Sequence, residues 1–291
     1  MYVLEKINKK NFKYLEALNL RSKDINSLNE DILIEINRDR FLKKLKVLKK
    51  VRIISYKGMY VGFIWFEKSK YEYNIYNIKS IYAEGDNLVG VYNKLLSIIP
   101  ESYNSIYYSS IDNCIYNSVL ESLKFKRLLG TCEMKMDLWK VDEINNIVEN
   151  VEFKFFKRNS DEDLRCRLQN LIFHNSNRIP LTVEDIKYDL TQKYSIKNGG
   201  IFLYLRDEPI GYGQIIYDKK RYYIVNFGII PSHRGKGFGK ILLHKLCSFT
   251  KNFNTKELYL KVDANNKVAI DLYKDFGFET IEKYYKWIKI G

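Results

Sequence analysis

The sequence predicts an α/β (α+β) protein built of two tandem copies of one domain, each a mixed, mostly antiparallel sheet with helices on both faces. Three observations carry this expectation. The chain has 291 residues, the upper edge of what one hydrophobic core serves, which favours two domains of similar size. A faint internal duplication supplies the second observation. VRIISYKGMYVGFIWF (51–66) reads as two strands around a Lys57-Gly58 turn, and IFLYLRDEPIGYGQII (201–216) as two strands around Asp207-Glu208-Pro209, so that Gly62 corresponds to Gly211. Further on, NCIYNSVLESLKF (113–125) lies in register with NKVAIDLYKDFGF (266–278), from the first Asn to the final Phe. The third is a shared order of apolar patterns, which places a first domain over 1–145 and a second over 150–291.

Each copy opens with amphipathic helical stretches, at 11–49 and 161–195, because apolar residues there recur at three- and four-residue steps. The hairpin follows, then a third strand (74–83; 221–230), a helix (87–98; 236–252), a strand (104–111; 256–263), a helix (113–123; 266–276) and terminal strands. Leu138 to Asn150 is the expected linker. A hairpin among the helices excludes a uniformly doubly wound parallel sheet.

Composition narrows the function classes. With 46% hydrophobic and 29% charged residues the chain has ample material for cores, so disorder is excluded. No apolar run approaches the ~20 residues of a membrane helix, and MYVLEKINKKNFK has no apolar signal region, which predicts a cytoplasmic protein without a membrane partner. Cys114, Cys132, Cys166 and Cys247 show no CxxC spacing and only three histidines are present, so neither a metal site nor a disulfide framework is expected. A net charge of +14 admits nucleic acid, acidic lipid or polyphosphate. The lysines are dispersed rather than clustered, which disfavours specific nucleic-acid binding. Oligomeric state is open.

The segment YYIVNFGIIPSHRGKGFGKILLHKL (222–246) runs from an apolar strand through Pro231 and a glycine-rich turn into an amphipathic helix. Such a turn holds phosphate, because glycines let backbone N–H groups converge and the helix N-terminus adds positive potential. It is not a Walker loop, since Gly239-Lys240 is followed by Ile241, nor a dinucleotide fingerprint, since Lys240 stands at the third glycine position.

The segment resembles the acetyl-CoA motif of the GNAT family of N-acetyltransferases, [QR]xxGx[GA] after a strand ending V-x-P, here Ile229-Ile230-Pro231 followed by Arg234, Gly237 and Gly239. A second family element, N-x-x-A-x-x-L-Y-x-x-x-G-F, is met by Asn266, Ala269, Leu272, Tyr273, Gly277 and Phe278. The resemblance covers about residues 150–291. It implies that acetyl-CoA is the cosubstrate, held at its pyrophosphate by Arg234, Gly235, Lys236, Gly237, Phe238, Gly239 and Lys240. It implies further that Gly228 and Ile229 pair with pantetheine, that the Ile229 N–H polarises the thioester carbonyl, and that Asn266 contacts the cofactor. Tyr273 would protonate the leaving thiolate, a transfer from a phenol of pKa ~10 to a thiolate of pKa ~8.5 that positioning makes feasible.

The chain departs from many relatives in having no carboxylate in the strand 222–230, so the base that deprotonates the amine is open among a water at Asn226, Asp263, Glu184 and Asp185. In the first copy AEGDNLVGVYNKLL has no arginine and an acidic Asp86, and Leu120 stands at the place of Tyr273. The resemblance therefore implies a tandem GNAT arrangement with a degenerate first copy. The expected function is direct acetyl transfer to an unidentified primary amine in a ternary complex, the alternative being a non-catalytic acyl-CoA-binding regulator or sensor.

Overall fold

The computed structural model describes residues 1–38, 46–141, 149–174 and 178–291. They form two compact units, one of Met1–Thr131 with Glu282–Gly291 and one of Cys132–Ile281. One order of ten elements occurs twice along the chain. The first set is β1 (Tyr2–Lys6), α1 (Phe12–Ile25), α2 (Ile32–Arg38), β2 (Val51–Tyr56), β3 (Met59–Lys68), β4 (Ile75–Ala83), α3 (Leu88–Leu96), β5 (Ser105–Ile111), α4 (Cys114–Ser122) and β6 (Lys126–Asp137). The second is β7 (Val151–Phe155), α5 (Glu162–Ile172), α6 (Val183–Thr191), β8 (Ser195–Leu205), β9 (Glu208–Asp218), β10 (Arg221–Ile229), α7 (Phe238–Lys251), β11 (Glu257–Asp263), α8 (Lys267–Phe276) and β12 (Glu279–Ile290).

In the first unit the strands run in the order β1-β2-β3-β4-β5-β12, antiparallel except for the parallel pair β4–β5. Lys57 and Gly58 both take positive φ (49° and 79°), the backbone a two-residue hairpin turn requires, and this sets the β2–β3 register. Around Val91, Leu95, Ile106 and Trp287 lies one core, and around Leu15, Leu18, Phe63 and Trp65 a second. In the second unit the order is β6-β11-β10-β9-β8-β7, with β7 to β10 antiparallel and β10–β11 parallel. Gly213 of β9 faces Leu246 of α7, whereas Gly228 of β10 meets Ile172 of α5, so helices cover both faces.

Four expectations are corrected. The units do not divide at 145–150. The C-terminal strand pairs antiparallel with β5, Tyr284 opposite Ile111 through Ile290 opposite Ser105, and buries Trp287 in the first unit's core, while Cys132 to Asp137 belong to the second. Within the expected linker, Leu138–Lys140 form a short 3-10 turn and 142–148 lie outside the described residues. The β8–β9 turn is at Arg206-Asp207, with Arg206 at φ 57°, and Glu208-Pro209 already belong to β9. Each copy also opens with a strand, β1 or β7, ahead of its helices. Parts of the expected helical stretches, 39–45 and 175–177, lie outside the described residues. No described helix is long and apolar enough to cross a membrane.

Candidate active site

The site begins where two strands part. β10 pairs with β11 only at Tyr223↔Tyr259 and Ile224↔Leu260, yet keeps its antiparallel partner β9 as far as Ile229. The cause is a bulge between Val225 and Gly228, where Asn226 takes φ 52°. Asparagine tolerates that conformation, and its Nδ2 donates to Gln214 Oε1 at 3.2 Å. Beyond the bulge the Ile230 N–H donates to Ile210 O at 2.9 Å. Antiparallel ladders alternate, so the Ile229 N–H, opposite Gly211, points away from β9 into the gap. Gly228 must be glycine because a Cβ there would sit 2.3 Å from Ile172 Cγ2.

The glycine loop follows. Gly235 and Gly237 hold φ 73° and 85°, and among the described residues beyond their chain neighbours no atom lies within 4 Å of where a Cβ would stand at either. Gly237 caps α7, and the N–H groups of Gly235, Lys236, Gly237, Phe238 and Gly239 have no protein partner among the described residues. Unpaired N–H groups at the start of a fourteen-residue helix make a cradle suited to an anion. Gly239 serves packing, since its Cβ would meet Leu272 Cδ2 of α8 at 3.3 Å.

Two cationic side chains of this loop turn elsewhere than the resemblance implies. Arg234 donates from Nε to Ile229 O (3.0 Å) and from Nη2 to Ile172 O (2.5 Å), tying the end of β10 to the end of α5. Lys236 folds back onto Ser232 O at 3.0 Å. Lys240 stays exposed, 3.9 Å from Asp275, and Phe238 packs near the His233 ring. An anion placed here would therefore meet backbone N–H groups first.

Tyr273 projects from α8 onto Phe227 of β10 and Phe278, with ring centroids 5.8 Å apart in both pairs. It is buried, and its hydroxyl makes no hydrogen bond among the described residues. Desolvation holds its pKa well above the ordinary phenol value, so the proton is retained at neutral pH. Asn266 caps α8, accepting from the Ala269 N–H at 3.1 Å, so its side-chain oxygen is committed to the helix. Of the acids considered as bases, Asp185 closes a capping box with Thr182 whose hydrogen bonds lower its pKa. Asp263 accepts from the Asn265 N–H at 2.8 Å, and Glu184 is exposed on α6.

The first unit has the same gap in outline. β4 pairs with β5 only from Ile75 to Asn77, and Ala83 stands opposite Gly62 as Ile229 stands opposite Gly211. Here the gap is filled from within. Asn29 accepts from the Ile81 N–H (3.4 Å) and donates to Ile81 O (3.2 Å), and the Glu30 N–H donates to Lys79 O (2.8 Å). On the opposite wall Asn26 donates to Ser109 O (3.0 Å) and accepts from the Ile111 N–H (3.1 Å). Both asparagines are buried, and sequence reading missed them.

The model of the acetyltransferase (GNAT) family matches residues 170–278, the stretch that contains the parted strands, the glycine cradle and Tyr273. Over that stretch the chain is similar to the GNAT family. A zebrafish (Danio rerio) relative, N-alpha-acetyltransferase 50, is 41% identical over 76 residues, 25% of this chain and 45% of that protein. The match thus spans less than half of that relative's length. Among solved structures, a GCN5-related N-acetyltransferase from Sphaerobacter thermophilus superposes with TM-score 0.63 at 13% identity, covering 99% of this chain and 95% of that one. A tandem GNAT protein from the clavulanic acid biosynthesis pathway gives 0.56 at 9% identity, over 100% and 98%. At these identities the likeness is one of fold, and it extends over both GNAT-like copies.

Proposed function

We propose that the second unit transfers acetyl from acetyl-CoA directly to a primary amine in a ternary complex, and that the first unit neither binds acetyl-CoA nor turns it over. One observation supports the reading above others: the gap-facing Ile229 N–H, the open Gly235–Gly239 cradle and the protonated Tyr273 border one parted strand pair. Acetyl-CoA, when bound, supplies an activated thioester. The amine's new N–C bond replaces the C–S bond, the proton it sheds passes to water, and the chain's residues bind, polarise and protonate. N–H groups of residues 235–239 bind the pyrophosphate, with the Lys240 side chain adding charge from the rim. The Ile229 N–H donates to the thioester carbonyl, where negative charge grows during attack. Tyr273 donates its proton to the departing thiolate. Burial makes it a weaker acid than a free phenol, so the transfer needs close contact rather than acidity.

The test is thiol release from acetyl-CoA with a panel of amines, run beside Tyr273→Phe. Acceptor-dependent release that falls in the variant supports the reading. Tight acetyl-CoA binding without release for any acceptor favours the regulator or sensor instead. The engagement of Asp185 and Asp263 in local caps gives that alternative its one specific support.

A further inference from the structure

A cavity of about 450 Å³ opens in the second unit on the face covered by α5 and α6. Its lining includes Lys157, Arg158, Arg165 and Lys197 and, among the described residues, neither Asp nor Glu. Three of the cations are exposed at its rim, whereas Arg165 is 1% exposed. The Arg165 guanidinium lies over the rings of Tyr212 (5.4 Å) and Phe156 (5.8 Å) and gives one bond, from Nη2 to Asp189 Oδ2 at 2.6 Å. Asp189 in turn accepts from the Tyr194 hydroxyl at 2.6 Å, so its own two oxygens are both committed. Among the described residues Nε and Nη1 of Arg165, three N–H hydrogens, have no partner, and neither has the buried Tyr212 hydroxyl, which lies 2.5 Å from where a Cβ on Gly200 would stand. Protein interiors rarely leave so many donors unpaired around one opening.

We propose that this cavity binds the carboxylate or phosphate group of a small ligand. Planar, permanently charged guanidinium donors suit such oxyanions, and the rim cations supply attraction without an opposing acid in the lining. The cavity's position says which ligand. Gln214 lines it and accepts from Asn226, the bulge residue next to the gap wall of β10. Resting on the transferase reading, this makes the ligand the amine acceptor itself, an amine that also carries an anionic group. A cationic polyamine would meet four like charges there.

Two measurements on the full chain test this. In the first, glutarate and inorganic phosphate are titrated by calorimetry into wild type, Arg165→Met and the rim variant Arg158→Glu/Lys197→Glu. Saturable binding of at least one anion, lost in Arg165→Met and weakened about tenfold or more in the exposed rim variant, supports the site, and the preferred anion names the group. Absence of binding by both anions, or binding that both variants retain, overturns it. The rim variant keeps the test valid if Arg165→Met fails to fold. In the second, thiol release is compared for 4-aminobutyrate against its amide and for 2-aminoethyl phosphate against 2-aminoethanol. Preference for the anionic member, erased in the rim variant, assigns the site to the acceptor, and preference for the neutral members overturns that assignment. If no amine releases thiol, the transferase reading fails while the titration still decides the cavity.

Discussion

The two units hold the same parted strands and treat them in opposite ways. In the first, Asn29 satisfies both backbone groups of Ile81, and Asn26 does the same for the facing strand at Ser109 and Ile111. In the second, no side chain bonds to the N–H of Phe227, the counterpart of Ile81, or of Ile229 among the described residues. A gap between diverging strands leaves backbone donors that must find a partner. One copy supplies it from its own loop after α1, whereas the other leaves the wall open among the described residues. The first copy thus differs from the second by more than its missing glycines: the slot itself is filled.

The sharpest break of this comparison is Gly237→Glu. A carboxylate at φ 85°, in the middle of the N–H cradle, is expected to abolish acetyl-CoA binding in a calorimetric titration, with the first unit unable to substitute. Retained binding would mean that the cradle is elsewhere. Next comes Tyr273→Phe, for which turnover should fall about 100-fold with acetyl-CoA affinity within about twofold. Equal loss of affinity and turnover would make Tyr273 a packing residue. Asn29→Ala strips five buried hydrogen-bond links, to Ser22, Asn26, Tyr108 and twice to Ile81, and should destabilise the first unit by about 2–3 kcal/mol while leaving turnover at low temperature unchanged. Urea unfolding followed by thiol-release assays reads both. The smallest contrast pairs the two helix caps. Asn113→Ala and Asn266→Ala should each cost about 1 kcal/mol, but only the latter should weaken acetyl-CoA affinity.

The pH profile follows from the direction of the Tyr273 shift. Burial raises its pKa, so the acid form persists on the alkaline side, while the acceptor amine becomes more nucleophilic as it loses its proton. Turnover should climb from about pH 7 to 9 with no falling limb below about pH 10. A fall near pH 8 would point to a different acid.

Most of the fold was legible because periodicity and turns are local. The strand, helix and glycine-loop boundaries from Ile75 to Ser122, and from Arg221 to Phe276, lie within a few residues of the patterns that predict them. What escaped was non-local. Edge strands β1 and β7 are five residues each, too short to outweigh the helices behind them, although VEFKF does alternate. Nothing in ETIEKYYKWIKI says which unit's strand it will pair with, because register is set by partners distant in sequence. Arg234 and Asn266 carry the family's residue types at the family's positions, but where a side chain turns depends on carbonyls that the motif does not contain. Arg165 left one readable trace, standing three and seven residues before the buried Leu168 and Ile172 on the inner stripe of α5.

Trp287, wholly buried and bonded through Nε1 to Ser110 Oγ, reaches the first unit only on the strand that follows α8. On a ribosome, Glu282–Gly291 emerge after every residue of the second unit. Biogenesis therefore runs against the order of the genes' reading: the later-made unit holds all its parts first, and the earlier-made one waits with β5 unpaired on one edge until Tyr284–Ile290 arrive. Nascent chains stalled before Tyr284 would expose that edge, the stage at which a chaperone has most to protect.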